Sequence, residues 1–501
     1  MRSRKAINNI FAGLLYELVA AICGFVLPRL ILTAFGSDYN GLTSSITQFL
    51  GYASLMQAGI GGVTRAALYK PLADENDRDI SAIVNATQGF LRKVSVIFAL
   101  SLCALAVIYP FFVIDDFDWL FSASLVIILG ISTFVQYFFG LTYQLLLTAD
   151  QKQYVVSYVQ IGTTILNTVI AAILIKCGAG IHIVKLGSAV AFSLNPVLIN
   201  LYCRHRYNLD RSVAPNKDAI KDRWDCFGLQ IANFVTNNTD MFLLTVFTNV
   251  REVSVYTVYY TVTKGINSIV RACVHGLGNS FGDMFAKNEK DNIRKNLNLY
   301  EEATFVISNF LFSVTAVMIV GFVYVYTAGV TDAEYIRPVF AYVLVAATLF
   351  GVYRIPYQAI VEAVGHFKQT RNGAIFEACL NIVISIAMIR RFGLVGVAIG
   401  TLCATVFRTF QYYIYMSRHI IIRGIWPLIK RLILSALTFG LVIIISNRFE
   451  FSNPTSYYAW IIQAIPVALV ALVVVIIIEV IFYRGDLMLM FQKVKNAVNR
   501  K

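Results

Sequence analysis

The chain has 501 residues, of which 58% are hydrophobic and only 14% are charged; a soluble domain carries about 25% charged residues. That balance excludes a soluble enzyme and leaves a polytopic membrane protein. The formal net charge of +14 fits nucleic acid or an anionic lipid surface, and the positions of the charges decide between them.

Apolar windows long enough to span a bilayer fall at about 8–34, 41–63, 93–114, 119–147, 155–176, 184–203, 226–248, 255–283, 303–326, 337–361, 373–391, 394–415, 432–447 and 459–483. They predict an all-α integral membrane protein with about fourteen transmembrane helices. The opening Met1-Arg2-Ser3-Arg4-Lys5 resembles the start of a signal peptide. The apolar stretch behind it is too long for one and holds Glu17, so it reads as the first span.

Of the 42 Lys and Arg, only seven (Lys176, Lys185, Arg251, Arg337, Arg390, Arg391, Arg448) fall outside when the N-terminus is placed in the cytoplasm. Five lie within spans, and the rest crowd the cytoplasmic connections and termini. The positive-inside rule therefore predicts both termini in the cytoplasm. The basic excess is topology and lipid-surface attraction, with no nucleic-acid partner.

The eight cysteines are scattered without a CxxC pair and read as small apolar residues, so no metal site is expected. No connection is long enough for a soluble catalytic domain. HExxH and P-loop motifs are absent from the sequence. No catalytic residue is expected, and the chain reads as a transporter rather than an enzyme.

The sequence repeats itself. Leu32-Thr33-Ala34-Phe35 reappears as Leu244-Thr245-Val246-Phe247, Tyr143-Gln144 as Tyr357-Gln358, and Lys152-Gln153 as Lys368-Gln369. Arg204-His205 likewise returns as Arg418-His419. Matches in one order at nearly one offset predict two homologous six-helix bundles, 1–215 and 216–425, followed by two extra helices and a basic tail over 426–501. An even number of helices per half makes the repeat parallel. Two such halves enclose a central cavity and rock about it.

Polar faces inside the spans carry the candidate site. Lys264, Ser268, Arg271, His275 and Asn279 follow one another at four, three, four and four residues, one face of the eighth span. A cation at the bilayer centre costs about 2.5–3.5 kcal/mol on insertion scales, so two on one face point to a polar cavity and an anionic cargo. The seventh span adds Gln230, Asn233, Asn237 and Asp240. Arg354 and Gln358 lie in the tenth span, Glu377, Asn381 and Ser385 in the eleventh, and Arg408 in the twelfth; Glu17 and Arg29 lie in the first. Cations outnumber acids, and arginine forks suit phosphate oxygens. Other roles stay open: Arg29 can snorkel, Arg354 and Arg408 can snorkel or pair with Glu377, and Asp240 and His275 can make structural hydrogen bonds.

Three stretches carry a family resemblance: Gly51 to Gly61, Asn237 to Leu244 with Val255-Tyr256, and Gly365-His366-Phe367-Lys368-Gln369 through Arg391-Phe392-Gly393-Leu394-Val395-Gly396-Val397-Ala398 to Arg408. Over about residues 5–480 the chain resembles the multidrug/oligosaccharidyl-lipid/polysaccharide exporter superfamily. Within it, the chain is most similar to the bacterial Wzx-type O-antigen and exopolysaccharide flippases. The resemblance implies a MATE-like fold in the bacterial inner membrane and alternating-access flipping of an undecaprenyl-pyrophosphate-linked oligosaccharide. It also implies the polymerase and chain-length proteins of that pathway as partners. No cofactor is implied beyond H+ or Na+ coupling, in which Asp240, Glu17 or Glu377 would take part. The substrate would meet Arg271, Lys264, Arg29, Arg354, Arg408, His275, Gln230, Asn233 and Asn237. The lipid II flippase branch puts arginines on helices 1, 2 and 8; here the second helix has none before Arg65, which argues against lipid II. The alternatives are a cation-coupled drug antiporter of the same superfamily, which would want an acidic cavity, and a polysaccharide polymerase, which would want a large external loop.

Overall fold

The computed structural model describes residues 2–54, 60–114, 116–220, 238–278, 281–286, 289–449 and 451–485. Eleven helices among them are long and apolar enough to cross a membrane, and the described regular structure is entirely helical. Two compact units result, Met1–Ser254 and Val255–Lys501.

The first unit holds α1 (Arg2–Phe35), α2 (Ser37–Ser54), α3 (Ile60–Ala73), α4 (Asp77–Ile108), α5 (Trp119–Val135), α6 (Leu141–Ala149), α7 (Gln153–Lys176) and α8 (Ile181–Arg206). A further helical segment follows at 238–247. Gly36 at φ +88° separates α1 from α2, a backbone state that costs glycine little. Asn76 caps α4 by accepting from the Asp79 backbone N–H, with Asp77 and Asp79 in the first turn on the positive end of the helix dipole. This cap lets helix begin well before the apolar window at 93. Ile80, Ile83 and Val84 bury one face of the extension. The stretches 64–92 and 284–302, taken from sequence as connections, are therefore largely helical.

The core of this unit is apolar, built around Leu42, Ile46, Phe98, Tyr109, Leu125, Val126 and Tyr137. Its outside is apolar too: Leu100 and Leu120 are 67% and 68% exposed. Apolar surface on helices of this length faces hydrocarbon, where each backbone polar group must be satisfied within its own helix.

The second unit contains α9 (Val250–Gly278, which starts in the first), α10 (Phe281–Ala286), α11 (Lys290–Tyr326), α12 (Pro338–Tyr353), α13 (Ile355–Ala363), α14 (Phe367–Phe392), α15 (Leu394–His419), α16 (Trp426–Ser446) and α17 (Tyr457–Phe482). The α14–α15 pair and the packing of α15 on α12 form its body, and α16 and α17 dock on α11. Leu434, Val442, Ala471, Val474 and Ile478 pack there with Phe310 and Val314.

The α14–α15 hairpin turns at Gly393, φ +53°. Just beyond it, a Cβ on Gly396 would sit 2.6 Å from the Met388 carbonyl carbon and oxygen. Backbone cannot yield as a flexible side-chain tip can. Gly396→Ala is expected to destabilise the protein by about 1–3 kcal/mol, read as a lower melting midpoint in detergent. An unchanged midpoint would refute so close a crossing.

In each unit an α-helix is interrupted at a position matched by the sequence repeat. In the first, α5 ends at Val135 and a wide π-type turn, Gln136–Gly140, leads into α6. In the second, α12 ends at Tyr353, Arg354 occupies the break, and α13 follows with Pro356 in its first turn. The offset that aligns Tyr143-Gln144 with Tyr357-Gln358 also aligns Gly140 with Arg354.

Candidate functional site

The stripe on α9 has one packed side and one open side. Val270 and Val274 are completely buried, whereas Lys264, Ser268 and Arg271 are exposed. Arg271 Nε donates to Asn267 Oδ1 on its own helix at 2.8 Å, and Lys264 Nζ stands 5.8 Å from the Tyr260 ring centroid. Cations that face away from protein in a membrane helix need water or an anion. Arg271 lies within Coulombic range of Arg354, Tyr300 and Glu362, all of the same unit. The His275 side chain and Asn279 lie outside the described residues.

In the same unit three side chains meet, from α14, α15 and the break between α12 and α13. Arg354 Nη1 donates to Glu377 Oε1 at 2.6 Å, and Arg408 Nε lies 3.3 Å from Glu377 Oε2. The Glu377 and Arg408 side chains are 4% and 5% exposed, and Arg354 is 15% exposed. Arg408 is held on every side. It donates to the Thr370 carbonyl at 3.0 Å, to Gln411 Oε1 at 2.8 Å and to Tyr412 Oη at 2.9 Å, with the Tyr412 ring 4.1 Å away. Gly373, one turn before Glu377, leaves the room for it: a Cβ there would stand 2.5 Å from Arg408 Nη1. Among the described residues Arg354 has one hydrogen-bond partner, and its buried Nε has none. Gln358 donates to Glu362 Oε1 at 2.7 Å. Arg354, Arg408 and Glu377 are thus one network, and of the roles open to the two arginines the structure shows the pairing with Glu377.

Arg29, half-buried on α1, and Glu17, exposed on the same helix, belong to the first unit. So does Asp240, which is buried within Coulombic range of Tyr52. Close by, Gln48 Nε2 donates to Asn238 Oδ1, and Tyr52 Oη donates to the Asn238 carbonyl at 3.1 Å. Gln230, Asn233 and Asn237 lie outside the described residues. Asn381 and Ser385 are buried beside α15, with Ser385 Oγ donating to Asn381 Oδ1 at 3.0 Å. Among the described residues no cluster of His, Cys, Asp or Glu could hold a metal ion.

A second buried ionic cluster went unread in the sequence. Glu301 and Glu302 of α11 are buried. Arg423 donates to both Glu301 oxygens, from Nη1 at 3.0 Å and from Nη2. Arg431 Nη1 donates to Glu302 Oε2 at 3.0 Å, and its Nε lies 3.9 Å from Glu301 Oε2. Burial alone would lower the Arg423 guanidinium pKa, but the Glu301 carboxylate outweighs it and holds it above its ordinary value. The Glu301-Glu302 doublet at the mouth of an apolar window was the available signal, since two acids there need cations nearby.

Comparison with known proteins separates fold from sequence. No family model matches the chain, and no curated protein matches it by sequence. Solved structures do. One is the lipid II flippase MurJ in an inward closed conformation, with TM-score 0.74 and 14% identity over 95% of this chain and 100% of that one. The chain shares that fold. An inward-facing MATE multidrug transporter of the MOP superfamily matches with TM-score 0.65 and 13% identity over 81% of this chain and 98% of the other. A MOP-superfamily transporter from Pyrococcus furiosus, described as having a binding pocket of reversed polarity, matches with TM-score 0.51 and 16% identity over 83% and 94%.

Proposed function

We propose that this protein is a flippase that moves an undecaprenyl-pyrophosphate-linked oligosaccharide from the inner to the outer leaflet of the bacterial plasma membrane for surface-polysaccharide synthesis. One observation carries the proposal: Arg271 exposed on α9, in range of an Arg354–Glu377–Arg408 network. Three guanidinium groups gathered in one unit form a place for a phosphate-bearing headgroup, because arginine pairs bidentately with phosphate oxygens. Lys264 extends the positive face two turns along the helix. Arg29, His275, Gln230, Asn233 and Asn237 are proposed to complete the headgroup and saccharide cavity. A fold shared with a lipid II flippase is compatible with a lipid-linked cargo.

The direction follows from charge. Moving one charge across the full potential is worth about 2.3 kcal/mol per 100 mV, so outward transfer of an anion from a negative interior is favoured. Asp240, Glu17 and Glu377 are the candidates for coupling to H+ or Na+. The distribution of Lys and Arg supports a cytoplasmic location for both termini. The pathway's polymerase and chain-length proteins are the proposed partners.

Deleting the gene in its host is expected to trap lipid-linked repeat units in the cytoplasmic leaflet and to remove surface polymer. Single unpolymerised units at the cell surface would point to a polymerase instead. An unchanged saccharide profile would sink the flippase reading and favour a drug antiporter.

A further inference from the structure

Glu377 is oddly placed for a residue of a phosphate-binding cluster: a buried carboxylate between two arginines that an anionic cargo would want. A purely structural role predicts the same solution at the matching joint of the first unit. The joint is built differently there. Gly140 stands in the place of Arg354 and packs so tightly on Pro196 that a Cβ would lie 2.2 Å from the Pro196 Cβ. The repeat offsets of 216 and 214 match Glu377 with Ile161 and Arg408 with Leu194, both apolar. The first unit makes its joint without charge, which leaves the charged version in the second free to serve something else.

The two arginines are also unequal. Arg408 is locked by the Thr370 carbonyl, Gln411 and Tyr412 besides Glu377. Arg354 sits at the helix break, is the more exposed of the pair, and among the described residues makes a single hydrogen bond, to Glu377, with its Nε unpartnered. It is also the one within Coulombic range of the exposed Arg271. A phosphate arriving beside Arg271 therefore meets Arg354 first. It competes for it with a single carboxylate, and a multiply charged phosphate or pyrophosphate attracts a guanidinium more strongly at equal distance.

Resting on the phosphate-headgroup reading above, we propose that Glu377 is a resident surrogate for the cargo's phosphate. It occupies Arg354 and Arg408 in the empty transporter, yields Arg354 to the incoming headgroup while Arg408 keeps it in place, and takes Arg354 back when the cargo leaves. The exchange spares the empty protein a pair of facing, uncompensated guanidinium groups. It also lowers affinity enough for the headgroup to be released.

The test uses the purified full chain in detergent micelles, with farnesyl pyrophosphate as the probe and calorimetric titration as the readout. Glu377→Gln is expected to bind the probe about tenfold tighter than the unaltered chain, since a competing charge-assisted hydrogen bond is gone, and to transport more slowly. A gain in affinity is not what a damaged structure produces. If the unaltered chain binds the probe and Glu377→Gln binds it equally or more weakly, the surrogate idea is overturned and the phosphate reading stands. If neither binds, both fall. Should Glu377→Gln fail to fold, Arg354→Gln decides, because Glu377 keeps its contact with Arg408. That variant is expected to lose about tenfold in affinity, and unchanged affinity would overturn the proposal.

Discussion

Arg271→Ala is expected to give a folded, inserted protein and cells without surface polysaccharide. The side chain is exposed, its one hydrogen bond runs to Asn267 on the same helix, and the buried face of α9 is carried by Val270 and Val274. Alanine is at least as good a helix former as arginine, and exposed substitutions of this kind cost within about 0.5 kcal/mol. The functional loss is far larger. Hydrogen bonds to charged groups are worth about 1.5–3 kcal/mol each, and a bidentate arginine makes two, so loss of the fork weakens phosphate binding by at least about a hundredfold. Arg271→Lys keeps the charge without the fork and should retain partial export. Lys264→Ala should be milder, since Lys264 lies about 10 Å further along the helix axis and acts as a point charge. Immunodetection in membranes, size-exclusion behaviour and polysaccharide staining together separate folding from export. Export that persists with Arg271 and Lys264 both neutralised would end the phosphate-clamp idea.

How much could be read beforehand differs between fold and site. Long apolar windows are a one-dimensional property, so most spans were visible in the sequence. The helical extension of α4 was not, because it depends on the Asn76 cap and on burial of Ile80, Ile83 and Val84 against neighbours. The stripe on α9 was legible because a single helix carries it, and spacing along a helix fixes the face. Partnership across helices is a different kind of information. Arg354, Glu377 and Arg408 stand on separate elements, and neither their meeting nor the space opened by Gly373 follows from any periodicity. The break at Arg354 was similarly hidden, although Pro356 marked the place. The repeat then became useful in reverse. By matching Arg354 with Gly140, it sets a charged joint in one unit beside an uncharged joint in the other.

The largest loss of stability is expected from Arg431→Ala. Arg431 is 4% exposed, and the Glu301 and Glu302 side chains it faces are 3% and 0% exposed. Removing one partner of a buried ion pair costs about 3–5 kcal/mol, because the remaining charge is left in a poor solvent. Here the substitution leaves Glu302 without its Arg431 contact and Glu301 with Arg423 as its guanidinium partner. It also removes the guanidinium stacked 4.3 Å from the Tyr483 ring centroid and 5.3 Å from that of Phe305. The damage should concentrate where α16 and α17 dock on α11. The melting midpoint in detergent should therefore fall together with resistance of the segment after Arg418 to proteolysis. Combining Arg431→Met with Glu302→Gln removes both charges and keeps volume in the core, and buried pairs replaced in this way are often neutral or stabilising. The double variant should thus melt well above Arg431→Ala. A double-mutant cycle built from Arg431→Met and Glu302→Gln should show coupling above about 1 kcal/mol, as expected for groups in one network. Additive effects would mean that the two residues do not share an ion pair, and that apolar packing alone holds the C-terminal helices to the bundle.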